Sequence, residues 1–556
     1  MMDAERIREA WPAVGQRGAV AAAVLILLAV ILVSAPPLSI SAAAVLGISA
    51  IVLSLLNPLY ALGALILSVP FSSLGEVSIS GFEVSSTELV TGLLVSVWLA
   101  NGVRRRQMRL TLGPLAIPLM LFIALVFLSV TYSPSLPLSL KELLKWLELL
   151  VVYLFVVNNV TNPRQVRAIL VVLLAAAAAE ALIGYYQFFA RVGPDSFRIG
   201  SFLRAYGTFG QPNPFAGYLA SVAIVALSVG LLPLVRRTST ECGRGLQPAR
   251  GNWGEATESH DVGATRASPL PGGHSRPFRP QARGRSTQGT QRLPVPPWLV
   301  LLGLGGFGFL SIAIFMSMSR GAWLGLAAGA AVVGAVSSRT TLIVLVVLVV
   351  VLSLVLLGGS FNVLPAQIAG RITQLAEYFR LFDASRVQAG PENWAMVERM
   401  ANWQAAWGMH ERYPWFGVGA GNFAVAYPDF ALAQWQQPKG HAHNIYLNTL
   451  AEMGVVGLGG YLLLLAAYFL HVGRTVRRAL TMANVDETSI LYVGIAVGVL
   501  GTLAVISVHN LFDSLFVHGM STHMGLLLGL ATVVGRLSQQ TRHVADEGSA
   551  RTVVAK

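Results

Sequence analysis

Charged residues are scarce in this chain. Only 12% of its 556 residues are Asp, Glu, Lys or Arg, whereas an ordinary soluble protein carries about 25%, and 54% are hydrophobic. Runs of about twenty apolar residues recur from Val20 to Val534, which is long enough for helices that cross a bilayer. The composition excludes a soluble globular enzyme and predicts an all-α fold, a polytopic transmembrane helix bundle.

Cysteine is nearly absent as well. The single Cys242 excludes an intramolecular disulfide and a metal site built from cysteines. The first apolar run follows a mixed-charge N-terminus without a convincing cleavage site, so we expect a retained helix and not a signal peptide.

The apolar runs set the number of predicted spans at about twelve to fourteen. The third and fourth are the least regular, because Gly75, Gly81 and several serines separate them, and one of them could be re-entrant. The fourteen candidates are 18–35, 38–56, 58–71, 87–101, 114–131, 142–158, 167–189, 214–235, 297–317, 321–337, 341–358, 445–470, 488–508 and 518–535.

Basic residues set the predicted orientation. Arg104–Arg106 follow span four, Arg164 and Arg167 follow span six, and Arg474–Arg478 follow span twelve, so all three clusters lie on one side. The positive-inside rule makes that side cytoplasmic and puts both termini there, in a multi-pass protein of the plasma (inner) membrane. The net charge of +13 then indicates loops facing anionic membrane lipids, with no nucleic acid partner expected.

Two polar segments interrupt the apolar pattern. Residues 236–297 hold ten Arg and four acidic residues and few apolar ones, which predicts a disordered cytoplasmic insertion, either a tolerated linker or a binder of lipid headgroups or a partner. Residues 359–440 carry no net charge and five of the eleven tryptophans, which predicts an ordered outer loop. The predicted units are 1–235, N-terminal transmembrane helices; 236–296, basic disordered cytoplasmic loop; 297–358, transmembrane helices; 359–444, extracytoplasmic loop subdomain; 445–536, C-terminal transmembrane helices; and 537–556, cytoplasmic tail.

The strongest local constellation begins at Gly440, where the outer loop meets span twelve, and contains His441, His443 and Asn444. Imidazole can accept and return a proton near neutral pH, so one of these histidines is a candidate general base. On a helix, His443 would share a face with Leu447 and point into a polar cavity. The alternatives are an interfacial histidine at a helix N-terminus and a metal ligand pair, for which His-X-His alone is a weak signal.

Arginines at predicted outer helix ends form a second constellation. Arg320 lies between two apolar runs, Arg204 precedes span eight, and Arg399 shares a helix face with Trp403. Guanidinium groups suit phosphate oxygens, so together these arginines could hold a pyrophosphate, although each alone could be a snorkelling residue.

Other polar and aromatic residues leave two interpretations open. Trp403 could stack on a sugar or belong to the aromatic belt and loop core. Glu180, inside span seven, is a candidate site residue or a structural hydrogen-bonding group. Lys141, Glu142, Lys145 and Glu148 can pair with one another at helical spacing, which favours a structural or cavity-lining role. His509, Asn510 and Asp513 fall in the last outer connector, where no spacing argument assigns them to a site.

Several of these motifs resemble the O-antigen ligase and Wzy-type O-antigen polymerase superfamily of bacterial membrane glycosyltransferases. The resemblance rests on Ser319-Arg320-Gly321, Arg399 with Trp403, the turn from Pro414 to Gly419, and His443-Asn444-Ile445-Tyr446-Leu447 followed by Glu452-Met453-Gly454. It extends from about Arg204 to the C-terminus.

The resemblance implies transfer of a preassembled glycan from an undecaprenyl-pyrophosphate-linked donor to a glycan, lipid or protein hydroxyl, on the periplasmic or outer face of the membrane. It implies His443 as the catalytic base and Arg320, Arg204 and Arg399 as ligands of the donor pyrophosphate, with inversion at the anomeric carbon and no metal or other cofactor. The expected auxiliary residues are His441, Asn444, Glu452, Asn213, Trp403 and Glu180.

The acceptor separates the competing functions. A polymerase or a protein O-oligosaccharyltransferase would use the same donor chemistry with another acceptor. A non-catalytic exporter of lipid-linked glycan should instead show internal repeats, and no clear repeat is found.

Overall fold

Almost every element of the computed structural model is an α-helix. The structure describes residues 48–49, 51–73, 76–79, 82–106, 110–245, 297–345, 347, 380–390, 393–482 and 487–554. In chain order its helices are α1 (Pro58–Ser68), α2 (Ser86–Arg105), α3 (Ala116–Val130), α4 (Leu136–Asn159), α5 (Pro163–Ala190), α6 (Pro212–Gly245), α7 (Pro297–Met316), α8 (Arg320–Ser337), α9 (Trp394–Arg412), α10 (Phe423–Phe430), α11 (Ile445–Met482), α12 (Glu487–His509) and α13 (Met520–Val554).

The remaining elements are short. Two antiparallel hairpins, β1 (Glu76–Ile79) with β2 (Phe82–Ser85) and β3 (Arg198–Ile199) with β4 (Phe202–Leu203), precede α2 and α6. Three single turns of 3₁₀ helix cover Pro70–Ser73, Asp195–Phe197 and Ala384–Arg386. The predicted all-α class is therefore confirmed.

Within the described residues, eight helices are long and apolar enough to cross a membrane: α2, α5, α6, α7, α8, α11, α12 and α13. The chain is thus a multi-pass membrane protein. Two predicted spans correspond to shorter apolar helices, α1 with 11 residues and α3 with 15. The first, second and eleventh predicted spans lie wholly or partly outside the described residues, so the total of twelve to fourteen stays a prediction.

Local sequence signals explain where several helices begin. The Ser85 hydroxyl accepts from the Glu88 N–H while the Glu88 carboxylate accepts from the Ser85 N–H, a reciprocal cap that starts α2. Asn162 and Gln165 form the same arrangement at α5, with Pro163 at the first helical position, where a missing N–H costs no helical hydrogen bond.

The bundle is organised around buried helices. Helices α6, α12 and α13 are the most buried of the eight, at 83%, 83% and 89% of their apolar stretches, and α6 packs against α7, α8 and α12. Helix α13 packs against α4, while α11 contacts α3, α12 and α13. Helix α6 continues beyond Val235 to Gly245, and residues 246–296 of the predicted insertion lie outside the described residues.

The described part of the outer loop carries α9 and α10. Their apolar side chains form two small clusters, one around Met409 and Phe423 and one around Met400 and Trp435. Because α9 and α10 also contact α11, this loop lies against the end of the bundle where α11 begins.

Candidate active site

His443 lies in a non-helical segment just before α11. Its φ is +53°, in the left-handed region, and Gly440 also has a positive φ. The Asn444 side chain accepts hydrogen bonds from the N–H groups of Tyr446 and Leu447, so Asn444 caps the helix that starts at Ile445. The expectation that His443 shares a helix face with Leu447 is therefore wrong, because α11 begins at Ile445, after His443.

Two further hydrogen bonds fix the His443 segment. The Ala442 N–H donates to Asn448 Oδ1 at 3.0 Å, and the Ile445 N–H donates to the Asn510 carbonyl at 2.9 Å. Asn510 belongs to the connector between α12 and α13, so the segment is attached both to its own helix and to that connector. This attachment brings His443 to Asp513.

Asp513 and His443 form an acid–imidazole pair. His443 Nδ1 lies 3.3 Å from Asp513 Oδ1, and the His443 side chain is 24% exposed. Burial raises the pKa of Asp513, but the hydrogen bond from His443 and the neighbouring imidazoles outweigh it and hold that pKa well below its usual range. With a proton on Nδ1 directed at the ionised carboxylate, His443 has a lone pair on Nε2 that can take a proton.

His441 supports this arrangement and stays neutral. Its Nδ1 accepts the His443 N–H at 3.1 Å, so its ring proton is on Nε2, which lies 3.8 Å from Asp513 Oδ1. Burial, followed by the charge of His443, lowers the pKa of His441 to about 4. His441, His443 and Asp513 are close enough to surround a cation. However, both ring nitrogens of His441 are occupied, one as acceptor and one as N–H, so binding a metal would require breaking the bond to His443.

Arg320 begins α8 on the opposite side of the same connector. It is buried, and the next residue, Gly321, packs on His509: a Cβ there would lie 2.8 Å from the ring. The same Cβ position is 3.4 Å from Phe512, the residue before Asp513. The start of α8 and the His443 segment thus contact neighbouring residues of one connector.

Arg204 is bound to the turn that precedes Arg320. Its Nε donates to the Ser317 carbonyl at 2.7 Å, and its Nη2 donates to Asn213 Oδ1 at 3.2 Å. Arg399, on α9, approaches from the outer loop. Its charge is among the smaller causes of the lowered His441 pKa, after burial and His443. The three predicted arginines therefore gather at the end of the bundle that holds His443.

Three of the predicted auxiliary residues make structural contacts. Glu180 is buried and accepts from the Thr208 N–H at 2.7 Å and the Thr208 hydroxyl at 2.9 Å, which fixes the loop that carries Arg204. Glu452 accepts hydrogen bonds from the N–H groups of Gly421 and Phe423. It thereby holds the glycine-rich turn, Gly417–Gly421, on α11. Trp403 packs in the apolar cluster around Met400 and Trp435, as expected for a loop core.

The residue that sequence reasoning did not assign is Asp513. It lies 70 positions after His443 in a connector without helical or strand periodicity, so no spacing argument joins the two. The available signal was the concentration of polar residues, His509, Asn510 and Asp513, between two long apolar runs.

Comparison with known proteins supports the predicted resemblance. Residues 305–462 match the family model described as O-Antigen ligase, which confirms the resemblance to the O-antigen ligase and Wzy-type superfamily. The match covers less than a third of the chain and includes Arg320, Arg399, His441 and His443, whereas Arg204 and Asp513 lie outside it. A search of curated proteins finds no match to the chain.

Proposed function

We propose that the chain is an O-antigen ligase-type glycosyltransferase of the plasma membrane. It moves a preassembled glycan from an undecaprenyl-pyrophosphate donor to an acceptor hydroxyl on the outer membrane face. The observation that carries this proposal is the 3.3 Å pair of Asp513 and His443, beside the turn where Arg320 and Arg204 meet. Matching of residues 305–462 to the O-antigen ligase family supports it.

His443 acts as the general base. Its Nε2 takes the proton of the acceptor hydroxyl while the hydroxyl oxygen attacks the anomeric carbon of the donor glycan. As that carbon–oxygen bond forms, the bond to the pyrophosphate oxygen breaks, and its electron pair leaves on undecaprenyl pyrophosphate. Direct attack inverts the anomeric configuration. Asp513 stays ionised and stabilises the imidazolium that results.

The arginines act on the leaving group. Negative charge grows on the pyrophosphate as its bond to the sugar breaks, and cations already fixed in position stabilise that charge without reorganising. Arg320 and Arg204 are held by buried helix ends and by hydrogen bonds, and Arg399 is held on α9. Guanidinium groups fill the role that a metal would play for a nucleotide sugar, so we propose a metal-independent reaction.

The test is replacement of the base. His443→Ala should lower glycan transfer by about 10²–10⁴-fold, the usual contribution of a general base. Cells lacking the chain are complemented with wild type or variant, and mass spectrometry of their glycoconjugates measures transfer and identifies the acceptor. His410→Ala, a histidine of α9 outside the cluster, is the matched control and should transfer normally. Wild-type glycosylation by His443→Ala at equal protein level would refute the mechanism.

A further inference from the structure

A polar cavity of about 320 Å³ lies beside His441 on the side of α4. The start of α2, helix α4, the segment from Gly440 to Ile445, and the connector before α13 enclose it. Its volume is at the lower end of the range usual for small-molecule sites. Its charged lining residues other than histidine are Glu88, Glu142, Glu148, Glu452, Lys141 and Lys145.

Three of the four carboxylates already have partners. Glu142 pairs with Lys145 at 2.5 Å and accepts from the Trp146 indole N–H. Glu88 caps α2, and Glu452 holds the glycine-rich turn. These three side chains therefore have protein partners and need no ligand to satisfy them.

Glu148 differs from the other three. It is only 7% exposed and lines the cavity, yet within the described part of the chain its carboxylate accepts no hydrogen bond. Removing a polar group from water without replacing its hydrogen bonds costs free energy. A buried carboxyl group that faces a cavity is therefore available to form hydrogen bonds with a ligand.

The lining residues restrict the ligand class. Lys145 is paired with Glu142, and none of Arg204, Arg320 and Arg399 is among the described residues that line the cavity, so the lining lacks the arginine cluster that would hold a pyrophosphate. Serine and threonine hydroxyls, among them Ser514 and Thr87, complete the polar wall. Such a surface matches a neutral ligand rich in hydroxyl groups.

We propose that this cavity receives the saccharide of the acceptor, with the Glu148 carboxyl group hydrogen-bonded to sugar hydroxyls. The proposal rests on the transferase function above and deepens it. The donor pyrophosphate then binds at the arginines, which do not line the cavity, and the acceptor sugar binds inside it. Through His441, the cavity reaches the neighbourhood of the His443 base.

The experiment measures ligand binding without turnover. The purified full chain in detergent is probed by saturation-transfer-difference NMR with D-glucose, D-galactose and N-acetylglucosamine, and separately with inorganic pyrophosphate by calorimetry. Glu148→Gln keeps the side-chain shape and replaces one carboxyl oxygen by an NH₂ group that cannot accept a hydrogen bond, so it should weaken sugar binding by about tenfold. Pyrophosphate binding should be unchanged in this variant and lost in Arg320→Ala.

A steric variant provides the second arm. Leu138 lines the cavity at 38% exposure, so Leu138→Trp should fill the cavity and abolish the sugar signal with little effect on folding. Leu140 is 37% exposed two residues further on and is not among the lining residues, so Leu140→Trp is the matched control and should bind sugars normally.

The outcomes separate this proposal from the transferase mechanism. Sugar signals of wild-type strength in both Glu148→Gln and Leu138→Trp, or competition of pyrophosphate with the sugars, would overturn the acceptor site. Loss of sugar binding in both variants supports the site even if His443→Ala retains full transfer, in which case the failure belongs to the proposed base.

Discussion

In the proposed mechanism, Asp513 determines which nitrogen of His443 acts as the base. An isolated imidazole exchanges its proton between the two nitrogens, and the mechanism requires the form in which Nε2 is unprotonated. A carboxylate at 3.3 Å from Nδ1 favours that form. We therefore propose Asp513 as a positioning residue that acts through His443.

Replacing the carboxylate by an amide tests this role. Asp513→Asn should lower transfer by about 10²-fold or more, because the amide can present an N–H to Nδ1 and select the wrong tautomer. The loss should appear in kcat and not in the KM for the acceptor, because the wrong tautomer removes the base without changing the binding surface. Initial transfer rates are measured over a range of acceptor concentrations.

The matched control for Asp513→Asn is Asp429→Asn, an exposed aspartate of the outer loop. Its kcat and KM should equal those of the wild type. A raised KM with unchanged kcat for Asp513→Asn would point to a structural role only and contradict the positioning argument.

His441 gives a second prediction, on stability. Its pKa is about 4 in the folded protein, lowered first by burial, whereas an unfolded histidine titrates near 6.5. Between these values the unfolded chain binds more protons than the folded one, so stability contributed by His441 is complete above about pH 6.5 and falls as pH drops towards 4. His441→Asn keeps an acceptor for the His443 N–H and should lessen that loss. The thermal unfolding temperatures of the wild type and of His441→Asn are measured between about pH 4.5 and pH 7.5. If both temperatures depend on pH in the same way, the prediction for His441 is contradicted.

The structure brings together candidates that short motifs indicate. His443, Arg320 and Arg204 each belong to a motif of a few residues, and all three lie at one end of the bundle. Asp513 required a contact between distant segments, which no motif encodes. The prediction that His443 is helical is wrong because Asn444 caps the helix that follows it, and helix periodicity alone does not reveal a cap.

At the scale of elements, the outer loop is connected to α11 through a break in that helix. Gly454 has φ +63° and ψ −164°, which frees backbone groups on both sides. The Val455 N–H donates to the Pro414 carbonyl at 2.9 Å, and the Gly419 N–H donates to the Glu452 carbonyl at 2.8 Å. The Pro414–Gly419 turn is therefore paired with the interior of a transmembrane helix.

This pairing predicts a strict requirement for glycine at position 454. A Cβ there would overlap the Trp415 carbonyl, and the backbone conformation is one that other residues rarely adopt. Gly454→Ala should lower the unfolding free energy by about 1–3 kcal/mol, seen as a lower thermal unfolding temperature in detergent.

The control lies five residues further along α11. A Cβ on Gly459 would meet no atom within 4 Å, and its backbone is helical, so Gly459→Ala should be neutral or stabilising by about 0.5–1 kcal/mol. Equal effects of the two substitutions would mean that the helix break does not hold the loop.

For the whole molecule, the helical class followed directly from apolar run length. Buried or lipid-facing runs of about twenty residues have few alternatives to a helix, and eight such helices are present in the described residues. Helix lengths were less predictable: α1 ends at Ser68 because the chain turns at Pro70, and α3 stops at Val130 before the Ser133–Ser139 contacts with the outer loop. Such stops depend on tertiary partners.

Orientation in the membrane is the prediction that depends on the whole chain. Three arginine clusters on one side predict that this side is cytoplasmic and that the site with His443 faces outward. The single Cys242, in the basic insertion, allows a direct measurement with a membrane-impermeant maleimide on intact spheroplasts. Native Cys242 should react only after the membrane is permeabilised.

A second variant of the chain tests the opposite side of the membrane. In a Cys242→Ser background, Leu381→Cys places a thiol in the outer loop at a residue that is 76% exposed, and it should react without permeabilisation. If Cys242 reacts in intact spheroplasts and Cys at position 381 does not, the bundle is inverted. A preassembled glycan on the outer leaflet could not then reach His443, and the proposed donor would be excluded whatever the geometry of the site.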